Sequence, residues 1–253
     1  SIALLSIFGT ITPRAGMVGD LSQMGCTMDR FAQQYQAAMT DGNIAGVIVQ
    51  IDSPGGNVYQ VPECADLIYS LRDRKPNVGV VTGACASAAY WLGAQFSELV
   101  ATQSSELGSI GVLMKHEDVS KAAEAEGVKI TFITSPRDGN KAEGNPFEPL
   151  SADSIAYYNS RTDDYYTMFI SSLRQGRSVH GNKDIGKLWG AGRMIGAAQA
   201  VELGMADRIG TMQGEMERMI GKMSGNGKMG KMNGGMAESE SGRIAARTRL
   251  RLA

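Results

Sequence analysis

Between Ile2 and about Ile209, short runs of β-branched and apolar residues alternate with longer amphipathic stretches. Antiparallel neighbours can be joined by a tight turn, but parallel neighbours need a crossover of about a dozen residues, so this alternation confines the chain to an α/β architecture with a largely parallel sheet. Strands are predicted at Ile2–Phe8, Ala45–Ile51, Val78–Thr82, Leu99–Ala101, Ile110–Leu113 and Val128–Thr134, with a closing strand at Met205–Ile209. Helices are predicted at Asp29–Thr40, Val61–Asp73, Ser87–Ala94, Val119–Glu126, Ala152–Arg174 and Ala197–Leu203, the last ending on Gly204 as a cap. At 253 residues the chain accommodates one large domain, or one domain with an appendage.

The alternation stops near Gly210. Between Met205 and Met236 lie 8 of the 15 methionines, and the stretch from Gly221 to Gly235 is mostly Gly, Lys, Met, Ser and Asn. Such a stretch buries too little apolar area to offset its ordering entropy. Residues 1–210 are therefore expected to form the folded domain, and residues 211–253 a flexible linker and tail. The tail carries Arg243, Arg247, Arg249 and Arg251, and reads either as a solvated end or as a short basic helix formed on a partner.

Composition removes several function classes. With 25 basic and 26 acidic residues the net charge is −1, so the surface as a whole does not attract nucleic acid or anionic lipid. No apolar run approaches the about 18 residues a membrane-spanning helix needs, and no anchor or signal segment is read in the visible chain. Cys26, Cys64 and Cys85 match neither a disulfide framework nor a zinc site and fit a reducing, cytoplasmic setting. His116 and His180 are too few for a histidine-rich metal site, and no cofactor is implied. Gly225-Asn-Gly227-Lys-Met-Gly230 spells G-x-G-x-x-G without the strand and βαβ unit that would place a pyrophosphate. Gly181-Asn-Lys-Asp-Ile-Gly186-Lys187-Leu188 approaches a P-loop but ends in a leucine where magnesium binding needs a hydroxyl.

Two strand exits carry chemistry. The first is Asp52-Ser53-Pro54-Gly55-Gly56, where proline fixes a turn and two glycines permit backbone conformations closed to other residues. Bare N–H groups are thereby presented at the carboxyl end of a parallel strand, where open α/β sheets bind ligands; a tight connection is the plainer reading. The second is Gly83-Ala84-Cys85-Ala86-Ser87-Ala88-Ala89-Tyr90-Trp91. Ser87, flanked by alanines and opening a predicted helix, is placed either as a nucleophile or as an N-cap. An activated serine needs a base, and the candidates are His116, His180 and lysines of the strand-rich region, among them Lys141 in a turn-rich loop. A lysine serves as a base only where burial disfavours its ammonium form.

Four segments in order, Asp52-Ser-Pro-Gly-Gly56, Ala86-Ser87-Ala-Ala-Tyr-Trp91, Gly108-Ser109-Ile-Gly-Val112 and Lys141-Ala-Glu-Gly-Asn-Pro146, resemble the signal peptide peptidase A group of serine peptidases, family S49. The resemblance covers roughly Ile2 to Ile209 and is closest to the bacteriophage branch, the prohead or capsid maturation proteases. It implies a ClpP/crotonase-like α/β fold and a Ser–Lys dyad, with Ser87 as nucleophile, Lys141 as general base and Ser109 as the hydroxyl that orients the lysine. It implies an oxyanion hole at Gly55 and Gly56 completed by the N–H of Ala88. Family members often carry glycines after the nucleophile, where this chain has Ala88 and Ala89. The resemblance further implies a protein or peptide substrate, phage scaffold, portal and capsid proteins as partners, a prohead in the host cytoplasm as the setting, and a homo-oligomer; the tyrosine-rich helix Ala152–Arg174 reads either as support for that assembly or as an aromatic face packed on its own sheet. Other readings stay open: a cellular signal-peptide-degrading peptidase of the same family, a ClpP-like Ser87–His116 pair, a crotonase-type acyl-CoA enzyme, or a catalytically silent assembly module.

Overall fold

The computed structural model describes residues 1–14, 25–137, 139–179 and 184–223. The chain divides into two compact units, one of Ser1–Ile110 with the residues from Ser172 onward, the other of Gly111–Ser171. The first unit starts with β1 (Ile2–Phe8), β2 (Ile11–Thr12), β3 (Cys26–Thr27), α1 (Met28–Thr40), β4 (Gly46–Ser53), α2 (Val61–Leu71), β5 (Asn77–Ala86), α3 (Ala88–Gly93), β6 (Glu98–Ala101) and β7 (Glu106–Gly108). The second holds α4 (Ser120–Ala125) and most of α5 (Ala152–Gly176). The first unit then resumes with α6 (Ile185–Leu188), β8 (Met194–Gly196), α7 (Ala197–Glu202), β9 (Arg208–Ile209) and α8 (Met212–Met223).

The main sheet runs β1-β4-β5-β6-β9, all parallel, and β7 joins the end of β5 in parallel while β8 closes antiparallel on β7. β4 lies inside it between β1 and β5, and its Val47, Ile48, Val49 and Ile51 are wholly buried, as a parallel strand covered on both faces requires. The faces divide by residue parity. Ile48, Val78, Val80 and Val100 pack with Met219 of α8 on one face. On the other, Gly79 leaves space for Phe96, whose ring meets Tyr35 of α1 edge-on. The helices on the sheet show the spacing that put them there: α1 buries Met28, Phe31, Tyr35, Ala38 and Met39, and α2 buries Val61, Cys64, Ala65, Ile68 and Leu71.

The parallel α/β expectation is met, and several boundaries move. The predicted strand at Ile110–Leu113 falls instead at β7, because Gly108 and Ser109 both take positive φ and end the strand there. Val128–Thr134, in the second unit, forms no strand; among the described residues its alternating apolar side chains find no ladder partner, and Ile133 is 95% exposed. The folded chain also continues past Gly210. Met212, Met216 and Met219 recur at helical spacing, so what reads as a low-complexity stretch starts with an apolar stripe that covers the sheet. Arg208 and Arg218 tie α8 down through Glu98 and Glu215 at 2.5–2.8 Å. The linker beyond Met223, the Arg-rich tail, the 225–230 glycine motif, His180 and the start of the P-loop-like segment lie outside the described residues. Among the described residues no helix is long and apolar enough to cross a membrane.

Two predictions concern this unit. Met219→Ala removes the buried centre of the α8 contact and is expected to lower the unfolding free energy by about 2–5 kcal/mol in urea denaturation. The second concerns Asp207, whose carboxylate accepts from Arg177 at 2.9 and 3.0 Å and from the Leu99 N–H at 2.6 Å. Burial pushes this carboxyl up, but the Arg177 bonds and charge, with the Leu99 N–H, outweigh burial and hold it below the usual carboxylate range. A depressed folded-state value stabilises fully above the unfolded value of about 3.9 and is lost as pH falls through the folded one. Asp207→Asn should therefore lower the urea midpoint at pH 7, and its deficit against the parent chain should shrink in acid.

Candidate active site

The site grows out of an irregularity in the sheet. β4 and β5 pair in step from Val47↔Asn77 to Ile51↔Val81, and then Ser53 pairs with Cys85, so residues 82–84 of β5 face Asp52 alone. Asp52 fills the gap: its Oδ1 accepts the Ala84 N–H at 2.9 Å, and Gly83 lies so close to the carboxylate that a Cβ there would overlap it. Gln50 Nε2 donates to Thr82 Oγ1 at 3.1 Å across the same step. Bulges re-aim strands. Before this one β5 pairs with β6; after it β5 pairs with β7 through Ala84↔Glu106, Cys85↔Leu107 and Ala86↔Gly108.

Ser87 follows immediately. Its N–H donates to the Gly108 carbonyl at 2.8 Å, and its own carbonyl accepts the Trp91 N–H at 3.0 Å to start α3. Its backbone sits at φ 51 and ψ −122, a region that costs a non-glycine residue about 1–3 kcal/mol. Although Ser87 occupies the N-cap position, its side chain makes no capping hydrogen bond, so helix capping does not account for it. Ser87 is half-buried between buried Ala86 and Ala88. Cys85 is no rival nucleophile: it is wholly buried, and burial pushes its thiol up, away from the reactive thiolate.

The glycine turn abuts this serine. Gly55 has φ +91, and a Cβ on it would lie 2.8 Å from both the Ala86 carbonyl oxygen and Ser87 Cβ, and 3.0 Å from the Ala88 nitrogen. Gly56 backs onto Ile11, which donates its N–H to the Gly55 carbonyl and accepts from the Asn57 N–H, each at 2.9 Å. The expectation that Gly55 supplies a free donor is corrected here: its N–H is donated to Ser53 Oγ at 3.1 Å. Among the described residues of this unit, the N–H groups of Gly56 and Ala88 have no hydrogen-bond partner. Ser109, half-buried at φ 52, stands one residue past the carbonyl that holds Ser87, with its own N–H on the Arg193 carbonyl at 2.9 Å.

The candidate bases belong to the second unit. Lys141 is exposed on a turn closed by Glu143 N–H on the Asn140 carbonyl at 3.0 Å and Asn145 N–H on the Ala142 carbonyl at 3.2 Å. His116 Nε2 lies 2.9 Å from the Asn145 carbonyl oxygen in the same unit. The structure thus gathers Ser87, Ser109, Gly55, Gly56 and Ala88 in one unit, and Lys141 with His116 in the other. Sequence reasoning missed Ser53 as a participant; a serine at the last inward-facing position of a strand whose other buried positions are Gly, Val and Ile is the signal that pointed to it. Among the described residues no group of three or more His, Cys, Asp or Glu side chains could hold a metal ion.

Comparison with known proteins places these features. Residues 70–223 match the family model described as Peptidase family S49. The chain is 32% identical over 232 residues to the head-tail preconnector protein GP5 of Enterobacteria phage P21, covering 91% of this chain and 45% of that protein. It is 33% identical over 210 residues to capsid assembly protease C of Escherichia phage lambda, covering 82% of this chain and 46% of that protein. The chain spans about half the length of these curated relatives. Among solved structures, the membrane-bound stomatin-specific protease 1510-N in complex with a substrate peptide superposes with a TM-score of 0.52 at 15% identity, over 86% of this chain and 78% of that one. That likeness carries the fold, and the fold is the expected ClpP-like α/β arrangement.

Gly55→Ala tests the close approach directly. It combines a strained φ with backbone and Cβ overlaps, and is expected to cost at least about 1–3 kcal/mol of stability, read as a shifted urea midpoint. An unshifted midpoint would mean that the turn stands clear of Ser87.

Proposed function

The chain belongs to peptidase family S49, and from that premise we propose that it is a serine endopeptidase working through a Ser87–Lys141 dyad. One observation carries the reading: a serine at positive φ, in an N-cap position it does not use, lies against a glycine turn. In this mechanism Ser87 Oγ attacks the carbonyl carbon of the scissile peptide while its proton passes to Lys141 Nζ. The negative charge developing on the carbonyl oxygen is met by the N–H groups of Gly56 and Ala88. The C–N bond breaks as Lys141 returns the proton to the leaving amine, and water, deprotonated by Lys141, releases the acyl group from Ser87. Ser109 is read as the hydroxyl that orients the lysine. A lysine works as a base only when withdrawn from water, so we assign the covering of the exposed Lys141 to bound substrate or to the assembled homo-oligomer.

The names of the phage relatives support proteins of an assembling phage capsid as substrates; scaffold proteins among them and the host cytoplasm as the setting belong to the same proposal. A crotonase-type reading leaves the conformation of Ser87 without a purpose. Ser87→Ala and Lys141→Ala are each expected to lower cleavage of an unfolded protein by about 10⁴-fold or more, with far-UV circular dichroism unchanged. A fluorophosphonate should label the parent chain and not Ser87→Ala. Near-normal turnover by Lys141→Ala, with His116→Gln inactive, would transfer the base to His116.

A further inference from the structure

Ser53 is the sole buried polar side chain of β4, with no exposed surface, on a strand otherwise built of apolar residues at its inward positions. A buried hydroxyl is costly unless bonded, and this one uses both its capacities on backbone. Its Oγ donates to the Gly9 carbonyl at 2.6 Å and accepts the Gly55 N–H at 3.1 Å. Gly9 is held a second time, its N–H donating to the Asp52 carbonyl at 3.0 Å. The hydroxyl therefore clamps the start of the glycine turn to the exit of β1. The preceding residue does the corresponding task on the other side: Asp52 reaches across the bulge to the Ala84 N–H, three residues before Ser87. Ser53 is buried and Asp52 spends its Oδ1 on the Ala84 N–H, and between them they hold the two backbone segments that meet where Gly55 abuts Ser87 and Ala88.

We infer that Ser53 and Asp52 are positioning residues that set the spacing between the Gly55-Gly56 turn and Ser87, Ser53 by fixing the turn and Asp52 by fixing the bulge that delivers the serine. The inference rests on the peptidase reading of Ser87 and adds to it the residues that hold its oxyanion donors. Misplacement of a donor by about 1 Å costs on the order of a hundredfold in rate without weakening substrate binding. An exposed Asp52 has little packing to lose, so its contribution lies in the bond to Ala84.

The test uses the whole chain with an unfolded protein as substrate, amide hydrogen exchange on the 53–57 peptide, and a fluorophosphonate count of active Ser87. Ser53→Ala is expected to lower kcat per labelled site by about tenfold to a hundredfold with KM within about threefold, and to speed exchange at Gly55 by about tenfold. Asp52→Ala should lower kcat in the same way, and Asp52→Asn, whose amide oxygen still accepts from Ala84, should recover most of that loss. Should Ser53→Ala fail to fold, the Asp52 pair decides the matter alone. Unchanged kcat per site in Ser53→Ala, or equal loss in Asp52→Ala and Asp52→Asn, overturns the positioning role while leaving the dyad intact. Turnover that survives Ser87→Ala overturns the peptidase reading itself, and the catalytic meaning of both residues with it, whatever the exchange data show.

Discussion

The slip between β4 and β5 after Ile51 is the step on which the rest of the site depends. Had the two strands stayed in register, β5 would have continued beside β6, and its last residues would have lain in the middle of an uninterrupted ladder. Three residues opposite one instead turn β5 aside onto β7, so that Ala86 faces Gly108 and the next N–H, that of Ser87, finds the Gly108 carbonyl. A slipped parallel ladder leaves amide groups without partners, and such groups are costly in a buried sheet. Here an ionised side chain takes the carbonyl's place at Ala84, a charge-assisted bond stronger than the one it replaces.

Around that slip, several unfavourable backbone conformations are collected within a few residues. Gly55, Ser87, Gly108 and Ser109 all have positive φ, and two of the four are serines, which lack glycine's freedom there. At about 1–3 kcal/mol for each strained serine, the sum is a sizeable part of the about 5–15 kcal/mol that separates a folded domain from its unfolded chain. The surroundings must over-determine these angles. They do so through the interior strand β4, whose Val47, Ile48, Val49 and Ile51 are closed off from water, and through α8, whose Met219 packs with Ile48 and Val78 on one face of the sheet. A helix remote in sequence from Ser87 thereby packs on the two strands whose ends carry the glycine turn and Ser87.

Much of this was legible in the residue order. β1 matches its predicted span to the residue, and α1, α2 and α5 start or stop within two residues of expectation, because each is long enough for its apolar periodicity to dominate. β7 was misplaced and β8 escaped detection because strands of three residues are defined by the partner they pair with, not by their own composition. α8 was hidden by the glycines and lysines around it, which mask a methionine stripe when residues are counted rather than placed on a helix. Ser87 could be singled out by its small neighbours, but whether its hydroxyl caps the helix depends on a ψ of −122 that no spacing encodes. Gly55 was visible as a turn residue, whereas the capture of its N–H by Ser53 depends on Gly9 arriving alongside from a strand far away in sequence.

The choice between the two candidate bases turns on which lone pair is available. A carbonyl oxygen can only accept, so His116 Nε2, 2.9 Å from the Asn145 carbonyl, carries an N–H directed there and offers no lone pair through that nitrogen. To serve Ser87 through Nε2, the ring would have to abandon a bond that also braces the turn containing Lys141, since Asn145 closes that turn through its own N–H on the Ala142 carbonyl. Lys141 stands exposed on that same turn. In the proposed dyad the two candidates carry different costs: His116 would give up a structural bond, and Lys141 would have to be withdrawn from water. Within its own unit, His116 braces the turn that carries Lys141.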